Sequence, residues 1–361
     1  MDRRSLRLAA LALFVLVFAF ASRASAEDDD ATAGADAAPA APAEAGEAEG
    51  EEEEGEKKVY EAPEKVSMGI HLNDIQSIDL KSHSYAMDFY VWFRWKNPDL
   101  DPATSMEIAN PIELWGLMVT PIYEEPEELD DGTLYQVLRV QGTFSKKLPL
   151  YNYPFDRQSL EVIFEDGAND TSALVYVADG AATVNPTLKL PGYAVGAPSF
   201  DVSAWHYPTA FGDPRTAPNT SYSRATLSVP ISRPPVAYAS KLFLPVVCVM
   251  VCAALMFLLS PALADARVDV GITSLLTIVA LQMTYNDALP DVGYLMLMDK
   301  VYLLAYGFVI VGLAVVVHTT RMAERGETER AIGLHRKILG VISSAWAIAM
   351  IVLVSKAMQE G

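Results

Sequence analysis

The stretch from Asp265 to Asp287, DARVDVGITSLLTIVALQMTYND, is a weakly apolar segment set among three far greasier ones. On a helical period of about 100° per residue, Asp265, Asp269, Thr273, Leu276, Ala280, Met283 and Asp287 fall within one arc of roughly 80°. The expected helix therefore carries acids at both ends of one face, a hydroxyl near its start and apolar bulk between them. From Asp265 to Asp287 the rise is about 33 Å, close to the hydrocarbon thickness of a bilayer. Carboxylates at such depth are costly in lipid, so this face is expected to meet water or protein. An amphipathic helix buried in a bundle satisfies the same periodicity.

Four apolar stretches follow Arg233-Pro234-Pro235, at 236–259, 268–289, 294–318 and 338–357, and make residues 234–361 a transmembrane domain of four helices. Residues 1–26 read as a secretory signal, with Arg3, Arg4 and Arg7 before an apolar run and Ala24-Ser25-Ala26 as a cleavage site. An uncleaved anchor is the alternative. The loop after the third stretch holds Arg321, Arg325, Arg330, Arg336 and Lys337, whereas Pro290 to Gly293 has no Lys or Arg. The positive-inside bias therefore agrees with a secreted amino terminus.

The formal net charge is −19, yet 13 of the acids lie between Glu27 and Glu56, where there is no base. With so little to bury, 27–58 is expected to form a disordered external extension. A weak attraction for divalent cations is its sharper reading. This acidity argues against a nucleic-acid partner. Cys248 and Cys252 stand one helical turn apart in an apolar span, as small hydrophobes.

Residues 59–233 alternate in short aromatic and β-branched runs, such as YAMDFYVWFRW, TLYQVLRVQGTF and RATLSVPIS, broken by NPDLDP, DDG and NYPFD. That spacing predicts an all-β, immunoglobulin-like sandwich outside the membrane.

Four local motifs sharpen this architecture. They are NYPFDRQSLEV at 152–162, PISRPPVAYASKLFLP at 230–245, ARVDVGITSLLT at 266–277 and LPDVGYLMLMDK at 289–300. In that order the chain resembles a prokaryotic pentameric ligand-gated ion channel of the Cys-loop receptor superfamily, lacking the loop disulfide. The resemblance implies a homopentamer in a bacterial inner membrane, opened by a small-molecule agonist or a proton. The second span would line the pore through Asp265, Asp269, Thr273, Leu276, Ala280, Met283 and Asp287. ARVxxGIT is closest to the anion-conducting animal members. Here, however, Asp265 replaces the small or Pro residue expected before it, and Asp269 adds a second acid. Rings of five carboxylates at the inner mouth attract cations, which makes cation selectivity the expectation and anion conduction the alternative. Either acid turning aside to pair with Arg267 would weaken that expectation.

The resemblance also places Pro154, Asp156 and Arg233 at the junction between domains, with Asp156 and Arg233 as an ion pair. Asp79, Lys81 and Pro290 would transmit motion across it. The agonist pocket would take Trp115, Glu165, Tyr207 and Tyr222 from one subunit and Phe93, Trp95, Arg139 and Gln141 from its neighbour. The aromatics there would hold an amine by cation–π attraction. Core packing serves any single one of these Trp or Tyr residues equally well, and His83 and His206 permit a proton-gated reading. No cofactor is implied and no metal site is assigned. Without GxSxG, HExxH, Walker or CxxC motifs, the sequence gives no support to an enzyme. A membrane-anchored sensory module that does not conduct remains the reading from another class.

Overall fold

The computed structural model describes residues 62–212 and 219–360. The expected signal segment and acidic extension lie outside them. Twelve strands come first: β1 (Glu64–Asp79), β2 (Ser84–Trp95), β3 (Met106–Ile108), β4 (Met118–Pro121), β5 (Glu127–Glu128), β6 (Leu134–Ser145), β7 (Arg157–Asp166), β8 (Leu174–Ala178), β9 (Thr183–Val184), β10 (Ala194–Val195), β11 (Ser199–His206) and β12 (Ser221–Ser232). They form a seven-stranded sheet in the order β4-β6-β2-β1-β8, with β5 beside β6 and β9 beside β1. A five-stranded sheet, β10-β12-β7-β3 with β11 beside β12, completes the sandwich.

Alternation decides which side chains lie between the sheets. On β2, Phe89, Val91, Phe93 and Trp95 are buried, while Tyr90, Trp92 and Arg94 alternate outward. Phe89 meets Phe164 of the opposing sheet edge-on, with ring centroids 5.7 Å apart. The inner face of β2 carries no charge, which is why it is the one that packs.

After Arg233-Pro234, four helices follow: α1 (Pro235–Ala254), α2 (Ala264–Asp287), α3 (Leu297–Glu324) and α4 (Thr328–Glu360). All four are long and apolar enough to cross a membrane. Pro235 starts α1, where the missing N–H costs no helical bond. The helix ends differ from the apolar runs. α2 begins at Ala264 rather than 268, and α4 begins at Thr328, ten residues before its apolar stretch. Polar residues continue a helix readily, so hydropathy alone finds the membrane-length portion and misses the turns beyond it.

α2 packs against α1 and α3, and α4 packs against α3. The close approach of α2 to α3 depends on Gly271, where an added Cβ would lie 2.4 Å from Leu313 Cδ2.

Candidate functional site

The buried face of α2 is Arg267, Gly271, Ser274, Ile278 and Tyr285. Opposite it, all seven residues of the expected stripe are exposed, with Leu276 and Met283 each 64% exposed. Among the described residues, no other element covers them. Arg267 turns away from the stripe into the helix bundle. Its Nε donates to the Met256 carbonyl at 2.9 Å and its Nη2 to His335 Nε2 at 2.6 Å. Among the described residues no ion pair joins Arg267 to Asp265 or Asp269, so both acids stay on the exposed face.

At the junction, the Arg233 and Asp156 side chains are 2% and 5% exposed, and Arg233 Nη1 donates to Asp156 Oδ1 at 2.7 Å. Arg233 Nη2 reaches the Tyr193 hydroxyl at 2.9 Å, and its guanidinium lies 4.7 Å from the Tyr153 ring centroid and 4.8 Å from that of Tyr193. Gln158 Nε2 occupies the second Asp156 oxygen at 2.6 Å. The pair is thus desolvated and fully engaged, the condition under which loss of one partner is most costly.

The loop carrying buried Pro154 docks on the outer ends of the helices. Tyr151 and Tyr294 stack at 3.8 Å, the Leu150 N–H reaches the Tyr294 hydroxyl at 3.0 Å, and the Leu297 N–H reaches the Tyr151 carbonyl at 2.9 Å. Beside it, Asp79 shapes the β1–β2 turn. The Ser82 hydroxyl, followed by the Lys81 and Ser82 amides, holds its carboxyl below the usual range despite partial burial. Lys81 Nζ then donates to the Asp287 carbonyl at 3.3 Å, and Pro290 is buried in the α2–α3 loop beneath. The structure therefore brings the expected coupling residues to one junction.

The expected cleft residues fare differently. Trp95 and Phe93 belong to the sandwich core, 2% and 0% exposed, and Trp95 Nε1 donates to the Leu100 carbonyl at 2.8 Å. They are corrected from the neighbour-facing side of a pocket to structural residues. The residues one step away face outward instead: Trp92 Nε1 donates to Asp179 Oδ2 at 2.8 Å, and Arg94 pairs with the same carboxylate. The Trp92 indole lies across Gly69, where a Cβ would collide at 2.2 Å. The charge of Arg94, on the same face as Trp92, was the signal that this face looks outward.

Arg139 grips Asp88 through Nε at 3.1 Å and Nη2 at 2.7 Å, and Gln141 joins at 3.3 Å. Arg139 holds the Asp88 carboxyl below the usual carboxylate range. Trp115 is 85% exposed on a single 3-10 turn, Leu114–Gly116.

On the other sheet, the β11–β12 hairpin gathers Trp205, Tyr207, Phe211 and Tyr222. Tyr207 lies edge-on to each of the other three, with centroids 6.5, 5.3 and 5.9 Å away. Glu165 of β7 accepts from the Tyr207 hydroxyl at 2.8 Å. Arg224, which the sequence did not single out, pairs with the same Glu165. His206 contacts Ser221 at 3.2 Å and joins none of these groups.

No protein-family model matches the chain. By sequence it is similar to gamma-aminobutyric acid receptor subunit beta-4 of Gallus gallus, 24% identical over 274 residues that cover 70% of this chain and 54% of the relative. Subunit alpha-2 of the same receptor type from Bos taurus is 22% identical over 293 residues, covering 73% and 61%. A serotonin-gated chloride channel of Caenorhabditis elegans is 23% identical over 282 residues, covering 71% and 56%. The relatives are receptor and gated-channel subunits. The chain spans about half the length of the curated relatives it matches. A β-sandwich followed by four membrane-length helices matches the architecture of Cys-loop receptors, with the amino-terminal domain extracellular.

Proposed function

We propose that this chain is the subunit of a homopentameric, agonist-gated, cation-selective ion channel in a bacterial inner membrane. The exposed α2 stripe carries the reading, because carboxylates and a hydroxyl spread over about 33 Å of a membrane-length helix need water beside them. A central pore shared by five copies supplies that water. The outer face of the seven-stranded sheet and the hairpin of the opposing sheet lie on different sides of the sandwich. A heterologous contact would bring one copy's Trp92 and Arg94 toward the next copy's hairpin and close a ring.

Asp265 and Asp269 would form two carboxylate rings at the inner mouth, and Asp287 one at the outer. With an effective dielectric near 20 and about 5 Å of separation, one ionised Asp attracts a monovalent cation by roughly 3 kcal/mol. Desolvation offsets much of that without changing the sign. Leu276, Ala280 and Met283 form the apolar girdle that closes the pore by dewetting. Divalent cations acting at the acidic extension would modulate opening.

Anion conduction is the second reading, favoured by the C. elegans chloride channel among the relatives. Reversal potentials of the reconstituted protein under a sodium chloride gradient decide between the two. A reversal near the chloride equilibrium potential rejects the cation assignment, and absence of single-channel current rejects conduction.

A further inference from the structure

The aromatic cluster on the hairpin already holds a cation from its own chain. The Arg224 guanidinium carbon lies 3.6 Å from the Trp205 ring centroid. Its Nε and Nη2 face Glu165, and Nη2 also donates to the Tyr207 hydroxyl at 3.3 Å. Strand register produces this arrangement: Arg224 stands directly opposite Glu165 on β7, and Trp205 opposite Tyr222.

An amine entering such a cleft would seek an aromatic face and a carboxylate, and both are engaged by Arg224. To take them it must separate an ion pair whose side chains are only 13% and 10% exposed, and leave a guanidinium without its partner. An anion needs no such exchange. Guanidinium has five N–H donors in a planar fork, and among the described residues the bonds to Glu165 and Tyr207 use Nε and Nη2 and leave the Nη1 edge. The outer face of the other sheet, which a neighbouring copy would present, carries a second guanidinium in Arg94, itself paired with Asp179.

We propose that this cleft takes a small ligand bearing a carboxylate, bound by Arg224, and that Arg224 occupies the place a simple amine would need. The proposal rests on the channel reading, in which hairpin and sheet face meet between subunits.

Calorimetric titration of the full-length protein in lipid nanodiscs, with propionate and propylamine as probes near neutral pH, tests it without a current readout. Wild type is expected to bind propionate and to ignore propylamine at the same concentration. Arg224→Gln should bind propionate at least about tenfold more weakly and gain propylamine, since Glu165 and the rings are then free to hold a cation. Arg224→Lys keeps the charge without the fork, should fall between the two, and carries the test if the glutamine variant does not fold. Preference of wild type for propylamine, binding of neither probe, or unchanged propionate affinity in the variants overturns the proposal. Propionate binding without any current would remove the channel reading alone. Currents evoked by propylamine and not by propionate would remove the carboxylate assignment alone.

Discussion

Lys81 Nζ sits 3.3 Å from the Asp287 carbonyl, so a turn of the sandwich holds the last turn of the helix that carries the acidic stripe. A cation at a helix C-terminus meets orphan carbonyls and the negative end of the dipole, an interaction of about 0.3–1 kcal/mol when exposed. Lys81→Gln is therefore expected to shift the half-activating agonist concentration by about two- to fivefold. Concentration–response currents check this, and an unshifted curve would show that the contact carries no gating energy.

Asp156→Ala or Arg233→Ala should lower stability by about 3–5 kcal/mol, because each leaves a buried charge behind. Charge reversal at both positions is not expected to recover the loss. Tyr153 and Tyr193 present ring faces to position 233, which suit a cation there and oppose an anion. Thermal midpoints and pentamer recovery on size-exclusion chromatography report the outcome.

His83 gives the junction a pH dependence. Burial, and after it the charge of Lys147, pull the imidazole below its ordinary value near 6.5. Its neutral Nδ1 accepts from the Leu148 N–H at 3.2 Å. A base with a depressed folded pKa favours the folded state while neutral, so stability is lost as pH falls from about 6.5 through the depressed value. Melting between mildly alkaline and mildly acidic buffer should show that decline. His83→Asn tolerates the positive φ of 53° and should flatten the profile.

Trp95→Ala should cost about 3–5 kcal/mol of stability, through a core cavity and the lost bond to Leu100. Trp92→Ala, on the outer face, should leave melting nearly unchanged and alter ligand response instead. Equal effects of the two substitutions on melting would contradict the assignment of faces.

Asp265→Ala with Asp269→Gly should lower sodium permeability relative to chloride, and Leu276→Ala should ease opening by shrinking the apolar girdle. Bi-ionic reversal potentials measure the first effect and spontaneous open probability the second. An unchanged permeability ratio would place selectivity elsewhere.

The α2 stripe was legible because helical period alone fixes which residues share a face, and Arg233 with Asp156 because the motifs around them, NYPFDRQSLEV and PISRPPVAYASKLFLP, resemble those of a known family. Strand faces were harder to read. A single step of parity separates Phe93 and Trp95 from Trp92 and Arg94, and aromatic residues stand on both faces of β2. Arg224 was missed for a different reason. Its place opposite Glu165 depends on how two distant strands align, which neither composition nor local spacing encodes.

Gly271 and Leu313 limit how the α2 helix moves. Leu313 rests in the hollow that the glycine leaves, and the neighbouring buried positions, Arg267 and Ser274, offer no such hollow. The contact works like an indexing pin: spinning α2 about its long axis would drive a side chain into Leu313, whereas leaning it pivots around the seated leucine. In the channel proposed above, opening by inclination would keep the same seven residues toward water throughout, and the charge seen by a permeating ion would then be the same at every stage of the stroke.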